Sequence, residues 1–216
     1  GYHGLTFDCA GQCVWAPGVG RIPSAARVRP YPVHEKYGLI WIWMGNAAIA
    51  DVEDIIDIPN FDDPEWGLNT GAAMGLNCNY LLMCDNLLDP THVAWVHEGS
   101  FASDATKDTP LRVTRTDTGV IVHRWMMDHA PAPFYAKIVP FEGNCDRLQH
   151  YEVRYPGLAL IRAVFTPAGT GGVDGPLSDQ TFIMDSYNFM TPVSERETRY
   201  YWFQLRNLRP DDTALS

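Results

Sequence analysis

The sequence predicts an α+β protein in two parts: a short β-rich N-terminal portion, then a largely antiparallel sheet that carries one helical stretch. Three observations predict it. Residues 1–45 hold only short apolar runs separated by Gly and Pro. An acidic segment, 45–67, with seven acids and two prolines, has the composition of a boundary segment crossing the surface. Beyond it, one strongly helical stretch at 77–98 is followed only by long strand-like runs.

In the first part "GLTFD", "QCVWAPG", "ARVRPYPV" and "GLIWIWMG" read as strands. In the last of these Trp41 and Trp43 alternate with Ile40 and Ile42, so both faces are apolar. In the second part "LRVTRTDTGVIVHRWMMDH" reads as a hairpin turning at Asp117-Thr118-Gly119. "RLQHYEVRYPGLALIRAVF", "DQTFIMDSYNFMTP" and "ETRYYWFQLRN" supply the remaining strands. No internal repeat or low-complexity tract interrupts them.

The bulk numbers bound the function. With 46% hydrophobic and 19% charged residues the chain is an ordinary globular protein of 216 residues, long enough for a sizeable core. A formal net charge of −10 argues against a nucleic-acid or anionic-membrane surface, since both demand Lys and Arg stripes. No signal peptide or membrane-spanning apolar run is present. Cysteines 9, 13, 78, 84 and 145 form no CxxC and no even framework, so they read as reduced thiols of a cytoplasmic protein. The opening "GYHGLTFD" and the closing "RNLRPDDTALS" suggest an internal fragment of a longer protein.

The chemistry concentrates in "DNLLDPTHVAWVHEGSF", 85–101, where His92 and His97 stand five apart. On a regular helix a five-residue step rotates by about 500°, which leaves the two rings roughly 140° apart. The helix must therefore widen or break for both to reach one point. Two neutral imidazoles plus a carboxylate, with open coordination positions, suit non-haem Fe(II) and oxygen chemistry. Asp89 lies three residues before His92 and is a candidate to accept its second ring N–H. Asn86 falls a further three residues back. Two plainer readings remain open: Asp89-Pro90 as an N-cap with proline at N1, and the histidines as core packing features.

"GYHGLTFD" resembles the second half of a Rieske [2Fe–2S] motif, C-x-x-H-G, with its cysteine immediately before Gly1. "NLLDPTHVAWVH" matches N-x-x-D-x-x-H-x-x-x-x-H, the mononuclear iron motif of Rieske-type aromatic-ring oxygenases, in the expected order. Over essentially its whole length the chain resembles the oxygenase (alpha) component of that family, nearest the vanillate O-demethylase branch. The resemblance implies the C-terminal part of a Rieske domain at 1–45. At 46–216 it implies a helix-grip (START-like) catalytic domain, incomplete at its C-terminus.

It further implies a monooxygenase that uses O₂ to O-demethylate or hydroxylate an aromatic acid such as a methoxybenzoate. Electrons would come from a ferredoxin-type or flavin reductase, with NAD(P)H used only indirectly, and the oligomer would be a homotrimer. His92 and His97 become the mononuclear iron ligands, His3 a [2Fe–2S] ligand, Asp89 the electron-transfer bridge between subunits and Asn86 a weaker partner. The third iron carboxylate is expected beyond Ser216, because Asp211 and Asp212 look like a turn or helix cap. Arg162 and Asn188 are candidate substrate contacts, Arg162 for an aromatic carboxylate; the alternative for Arg162 is a solvent-facing strand position. Two functional alternatives are a ring-hydroxylating dioxygenase and a metal-free hydrophobic-ligand carrier. A zinc hydrolase is disfavoured because "VAWV", 93–96, offers no general base.

Overall fold

The computed structural model describes residues 2–212. The chain divides into two compact units, Gly1–Ile58 and Pro59–Ser216. The division falls inside the acidic 45–67 segment, not at position 45/46 where that segment begins.

The first unit is built from two small antiparallel hairpins. Strand β1 (Thr6–Phe7) pairs with β2 (Cys13–Trp15) and β3 (Val33–Lys36) with β4 (Leu39–Ile42). The turn between β1 and β2 is closed by Asp8, whose Oδ1 accepts from the amides of Ala10 and Gln12. "ARVRPYPV" is not the strand its composition suggests. Only Arg27 bridges to Gln12, and regular pairing starts at Val33. The reason is Pro30 and Pro32, which have no N–H to offer a ladder. In β4 the two faces differ: Ile40 and Ile42 are exposed and Trp41 is half-buried, its Nε1 donating to the Lys36 carbonyl.

The second unit is a single eight-stranded antiparallel sheet with short helices. After β5 (Gly67–Thr70) and β6 (Met74–Leu76) come three helices, α1 (Tyr80–Leu88), α2 (Val93–Val96) and α3 (Ala105–Asp108). Strands β7 (Arg112–Arg115), β8 (Gly119–His129), β9 (Cys145–Arg154), β10 (Leu158–Pro167), β11 (Phe182–Ser194) and β12 (Glu197–Arg206) follow. The sheet order is β5-β12-β11-β10-β9-β8-β7, with β6 also on β12. The β7–β8 hairpin turns where the sequence indicates. Gly119 is required there, since a Cβ would lie 1.8 Å from the Val153 carbonyl oxygen. Sequence reading missed α3, which is one turn long and has no side-chain cap.

One face of this sheet is covered by the helices. Ala159, Val153, Met190 and Tyr200 pack with Cys84, Met83, Leu87 and Leu88 of α1. Because strand side chains alternate, this contact assigns every other sheet residue. Arg124, Met126, Arg147, Gln149, Tyr151, Phe165, Phe182 and Asn188 share the helix-covered face. Trp125, His150, Glu152, Arg162 and Asp185 belong to the opposite one.

The β8–β9 pairing contains a bulge, with Asp128 at φ +50°. The fully buried Asp146 holds it. One carboxylate oxygen accepts from Asp128 N at 2.9 Å, and the other from Gly169 N and Gly171 N at 2.7 and 2.9 Å. Among the described residues no helix is long and apolar enough to cross a membrane.

Candidate metal centre

Helix α1 begins cleanly, with the Asn79 side chain accepting from Leu81 N at 3.0 Å. It ends at Asp89 because Pro90 follows, and a residue before proline is pushed out of the helical region. Asp89 accordingly sits at φ −94°, ψ 99° and serves as the C-cap of α1. The alternative reading of Asp89 as an N-cap is thereby corrected. Its Oδ1 instead accepts from Thr91 N at 2.7 Å and Thr91 Oγ1 at 2.6 Å, which turns the chain after the break.

The break solves the five-residue spacing. There is no π-type widening. His92 and His97 cap the two ends of the one-turn helix α2, and His97 leaves helical geometry at φ −110°, ψ 26°. Terminal residues are free of the regular rotation, so the rings approach to 5.4 Å between centroids at an interplanar angle of 61°. Both imidazoles are half-buried. His92 Nδ1 is buried without a hydrogen-bond partner. An orphaned imidazole nitrogen in such a place is costly unless a ligand or a further hydrogen bond uses it. This donor set, two imidazoles side by side with an unclaimed nitrogen, fits a first-row metal such as Fe(II). Among the described residues no group of three or more His, Cys, Asp or Glu converges as a complete metal set.

Asp89 and His92 are not hydrogen-bonded to each other, contrary to the tautomer-fixing role their spacing suggested; Thr91 takes the contact. They remain electrostatic neighbours. Burial works to raise the Asp89 pKa, but the Thr91 hydroxyl and amide and the nearby His92 outweigh it and hold the carboxyl below its usual value. Asn86 lies exposed on α1. His3 is exposed in the first unit, in a turn at φ +56° ahead of Gly4 at φ +70°.

Beneath the histidines an aromatic stack leads into the sheet. Phe101 meets His97 at 5.6 Å, and Phe134 and Tyr135 at 5.1 and 6.1 Å. Tyr135 in turn packs on Phe165 at 4.3 Å. Burial pushes the Tyr151 hydroxyl up to about 12, and its surroundings include the charges of Arg147, Arg124 and Asp89.

The two substrate candidates fare differently. Arg162 lies on the face away from the helices and donates Nε and Nη2 to the two oxygens of Asp185, both at 2.7 Å. The fork that would grip a substrate carboxylate is thus already engaged within the sheet, directly across the β10–β11 pair. Asn188 is buried on the helix-covered face. Its amide donates to the Ala159 and Ser186 carbonyls, and its oxygen accepts from Tyr200 at 2.5 Å. The sequence reading missed Phe101, Arg124, Tyr135, Arg147, Gln149 and Tyr151. For Arg147, Gln149 and Tyr151 the signal was alternate spacing in "RLQHYE" (147–152), but the polar residues His150 and Glu152 of the other face mask it.

The chain was compared with known proteins for its family and fold. Residues 76–216 match the vanillate O-demethylase oxygenase C-terminal domain. The chain is 35% identical over its full length to the toluene-4-sulfonate monooxygenase system iron-sulfur subunit TsaM1 of Comamonas testosteroni, covering 62% of that protein. It is 33% identical, again over its full length, to the vanillate O-demethylase oxygenase subunit of Pseudomonas sp. (strain HR199 / DSM 7063), covering 62%. The crystal structure of dicamba monooxygenase bound to 3,6-dichlorosalicylic acid superposes with a TM-score of 0.86 at 30% identity, covering 99% of this chain and 62% of that one. The chain thus spans about three-fifths of the length of these relatives. Its mostly β architecture with few helices matches the catalytic domain of Rieske oxygenases, and the chain belongs to the vanillate O-demethylase oxygenase C-terminal domain family.

Proposed function

We propose that the full-length protein is the oxygenase component of a Rieske monooxygenase that O-demethylates or hydroxylates an aromatic acid such as a methoxybenzoate. The observation that carries this is the His92–His97 pair. A proline-broken helix brings the two rings to 5.4 Å with a buried, unclaimed nitrogen, in a chain of the oxygenase family. His92 and His97 would hold a mononuclear Fe(II), completed by a carboxylate from outside the described residues, and His3 would be a ligand of the [2Fe–2S] centre. Bound iron would supply O₂ activation, with electrons from a ferredoxin-type or flavin reductase arriving through the [2Fe–2S] centre.

The chain's own residues account for the rest. Phe101 backs the His97 ring and restricts its rotation. The apolar cluster of Tyr135, Phe165 and Phe182 keeps water from the sheet side. Asp89 acts as the bridge for electron transfer to a neighbouring subunit of a homotrimer. Thr91 donates to Oδ1 and helps hold the carboxyl below its usual pKa, while Oδ2 has no hydrogen-bond partner among the described residues and is left for a second contact.

The test supplies full-length protein with a reductase, NAD(P)H and a panel of methoxybenzoates, and measures formaldehyde. Formaldehyde release in step with a phenolic product is expected. Absence of formaldehyde across the panel would refute the demethylase reading, and cis-diol formation would move the protein to the dioxygenase class. Asp89→Asn should leave both metals bound while abolishing most turnover; near wild-type activity would remove Asp89 from the electron path.

A further inference from the structure

Of the buried arginines on the helix-covered face, Arg124 and Arg147 stand apart from Arg206, whose Nη2 donates to the Arg209 and Asp212 carbonyls, and the iron chemistry uses neither of them. Arg124 is 4% exposed and Arg147 is 2% exposed. Neither forms an ion pair with Asp or Glu among the described residues. The nearest buried acid in sequence, Asp146, belongs to the opposite side of its strand and spends both oxygens on backbone amides. Arg124 donates Nε to Gln149 Oε1 at 2.8 Å and Nη1 to the Thr109 carbonyl at 2.9 Å, leaving Nη2 buried and unpaired. Arg147 donates Nη1 to the Phe101 carbonyl at 2.8 Å, and its guanidinium lies over the Tyr135 and Phe165 rings at 5.2 and 4.9 Å. Its Nε is likewise buried without a partner.

Two uncompensated guanidiniums in a core are expensive, and they also repel each other: burial first, then the charge of Arg147, depresses the Arg124 pKa. Neutral hydrogen bonds to Gln149 and two carbonyls hold the forks in place without balancing their charge. Their position matters. Arg147 is hydrogen-bonded to Phe101, the residue that stacks on His97. Arg124 reaches Tyr151 through Gln149, and Tyr151 feels the charge of Asp89. Arg147 is therefore one residue removed from the His97 ring and lies over two aromatic rings, and Arg124 stands diagonally across the β8–β9 pair from it on the same face.

We propose that Arg124 and Arg147 form the recognition site for the anionic substituent, a carboxylate or sulfonate, of the aromatic substrate. The inference deepens the monooxygenase reading and rests on it for calling the anion a substrate group. The unpaired Nη2 and Nε supply the missing donors, and the oxyanion supplies the missing charge. Arg147 and Arg124 are then specificity-determining residues, in place of Arg162.

The experiment is calorimetric binding of benzoate, benzenesulfonate and neutral benzamide to full-length, iron-loaded protein. At least one of the two anions should bind wild type about 10- to 100-fold more tightly than benzamide, the range expected for charge-assisted bonds. Which one does identifies the oxyanion. Arg147→Gln should remove most of that preference for the anion over benzamide, and Arg147→Lys should restore part of it. Equal binding of all three ligands to wild type would overturn the proposal without any variant having to fold. So would an unaltered anion preference in Arg147→Gln. Iron content and visible absorption of the same preparation separate the two readings. Colourless, iron-free full-length protein that still prefers the anion refutes only the monooxygenase reading. Iron-loaded protein that binds benzamide as well as benzoate and benzenesulfonate refutes only the anion site.

Discussion

The Arg162–Asp185 pair gives the sharpest check on how the sheet is oriented. Asp185 is 0% exposed, whereas the Arg162 side chain retains 38% exposure. The two mutants should therefore be unequal. Arg162→Met strands a fully buried carboxylate, at a cost of about 3–5 kcal/mol. Asp185→Leu leaves a guanidinium that can turn to water, and should cost about 1–3 kcal/mol. The double variant replaces the pair by packed hydrocarbon and should recover most of the loss, because a buried ion pair is often no better than apolar side chains of similar volume. For a unit of this size Arg162→Met should lower the melting temperature by roughly 10 °C. Thermal melts of the three variants measure the cycle, and KM values for anionic and neutral arenes measure any role in binding. The reasoning fails if Arg162→Met melts like wild type but loses its preference for anionic arenes. That would put the guanidinium beside the substrate and on the other face of the sheet.

Three further outcomes are expected. His92→Ala or His97→Ala in the full-length protein should lose the mononuclear iron in metal analysis while retaining the [2Fe–2S] absorption; unchanged iron content would remove the pair from the centre. Thr91→Val deletes a hydrogen bond that holds the Asp89 carboxyl below its unfolded value. The stabilisation this provides is present above the unfolded pKa and is lost as pH falls through the lower folded one. In Thr91→Val the acid limb of a melting-temperature or activity profile should therefore begin at higher pH, and an unmoved limb would contradict the assignment. Asp146→Ala removes three charge-assisted bonds to buried amides and should destabilise by about 3–5 kcal/mol. Amide hydrogen exchange should accelerate first at Asp128, Gly169 and Gly171.

Much of the centre was legible from local rules. Pro90 forces Asp89 out of the helix whatever surrounds it, so the break between the histidines follows from two adjacent residues. The five-residue spacing of His92 and His97 then becomes workable, since both stand at helix ends. The hairpin at 116–119 and the long strands followed from turn chemistry and alternation in the same way. Pro30 and Pro32 carried an equally local message, and reading "ARVRPYPV" as a strand overlooked the missing N–H groups.

What the chain alone did not determine is which side of each strand meets the helices. Alternation sorts "RLQHYEVR" into Arg147, Gln149, Tyr151 and Val153 on one side and Leu148, His150, Glu152 and Arg154 on the other. Both sets mix polar and apolar residues, so neither declares itself as core. Only the packing of α1 on Val153, Ala159, Met190 and Tyr200 makes the choice. That long-range contact leaves Arg162 with Asp185 on the opposite face and puts Arg124 and Arg147 on the helix-covered one. Likewise the spacing paired Asp89 with His92, and the φ/ψ of the break gave its Oδ1 to Thr91 instead. Sequence indicated most of the turns and which residues are candidates to bind metal. Tertiary structure decided which charges face the site, because strand parity is relative until another element covers one face.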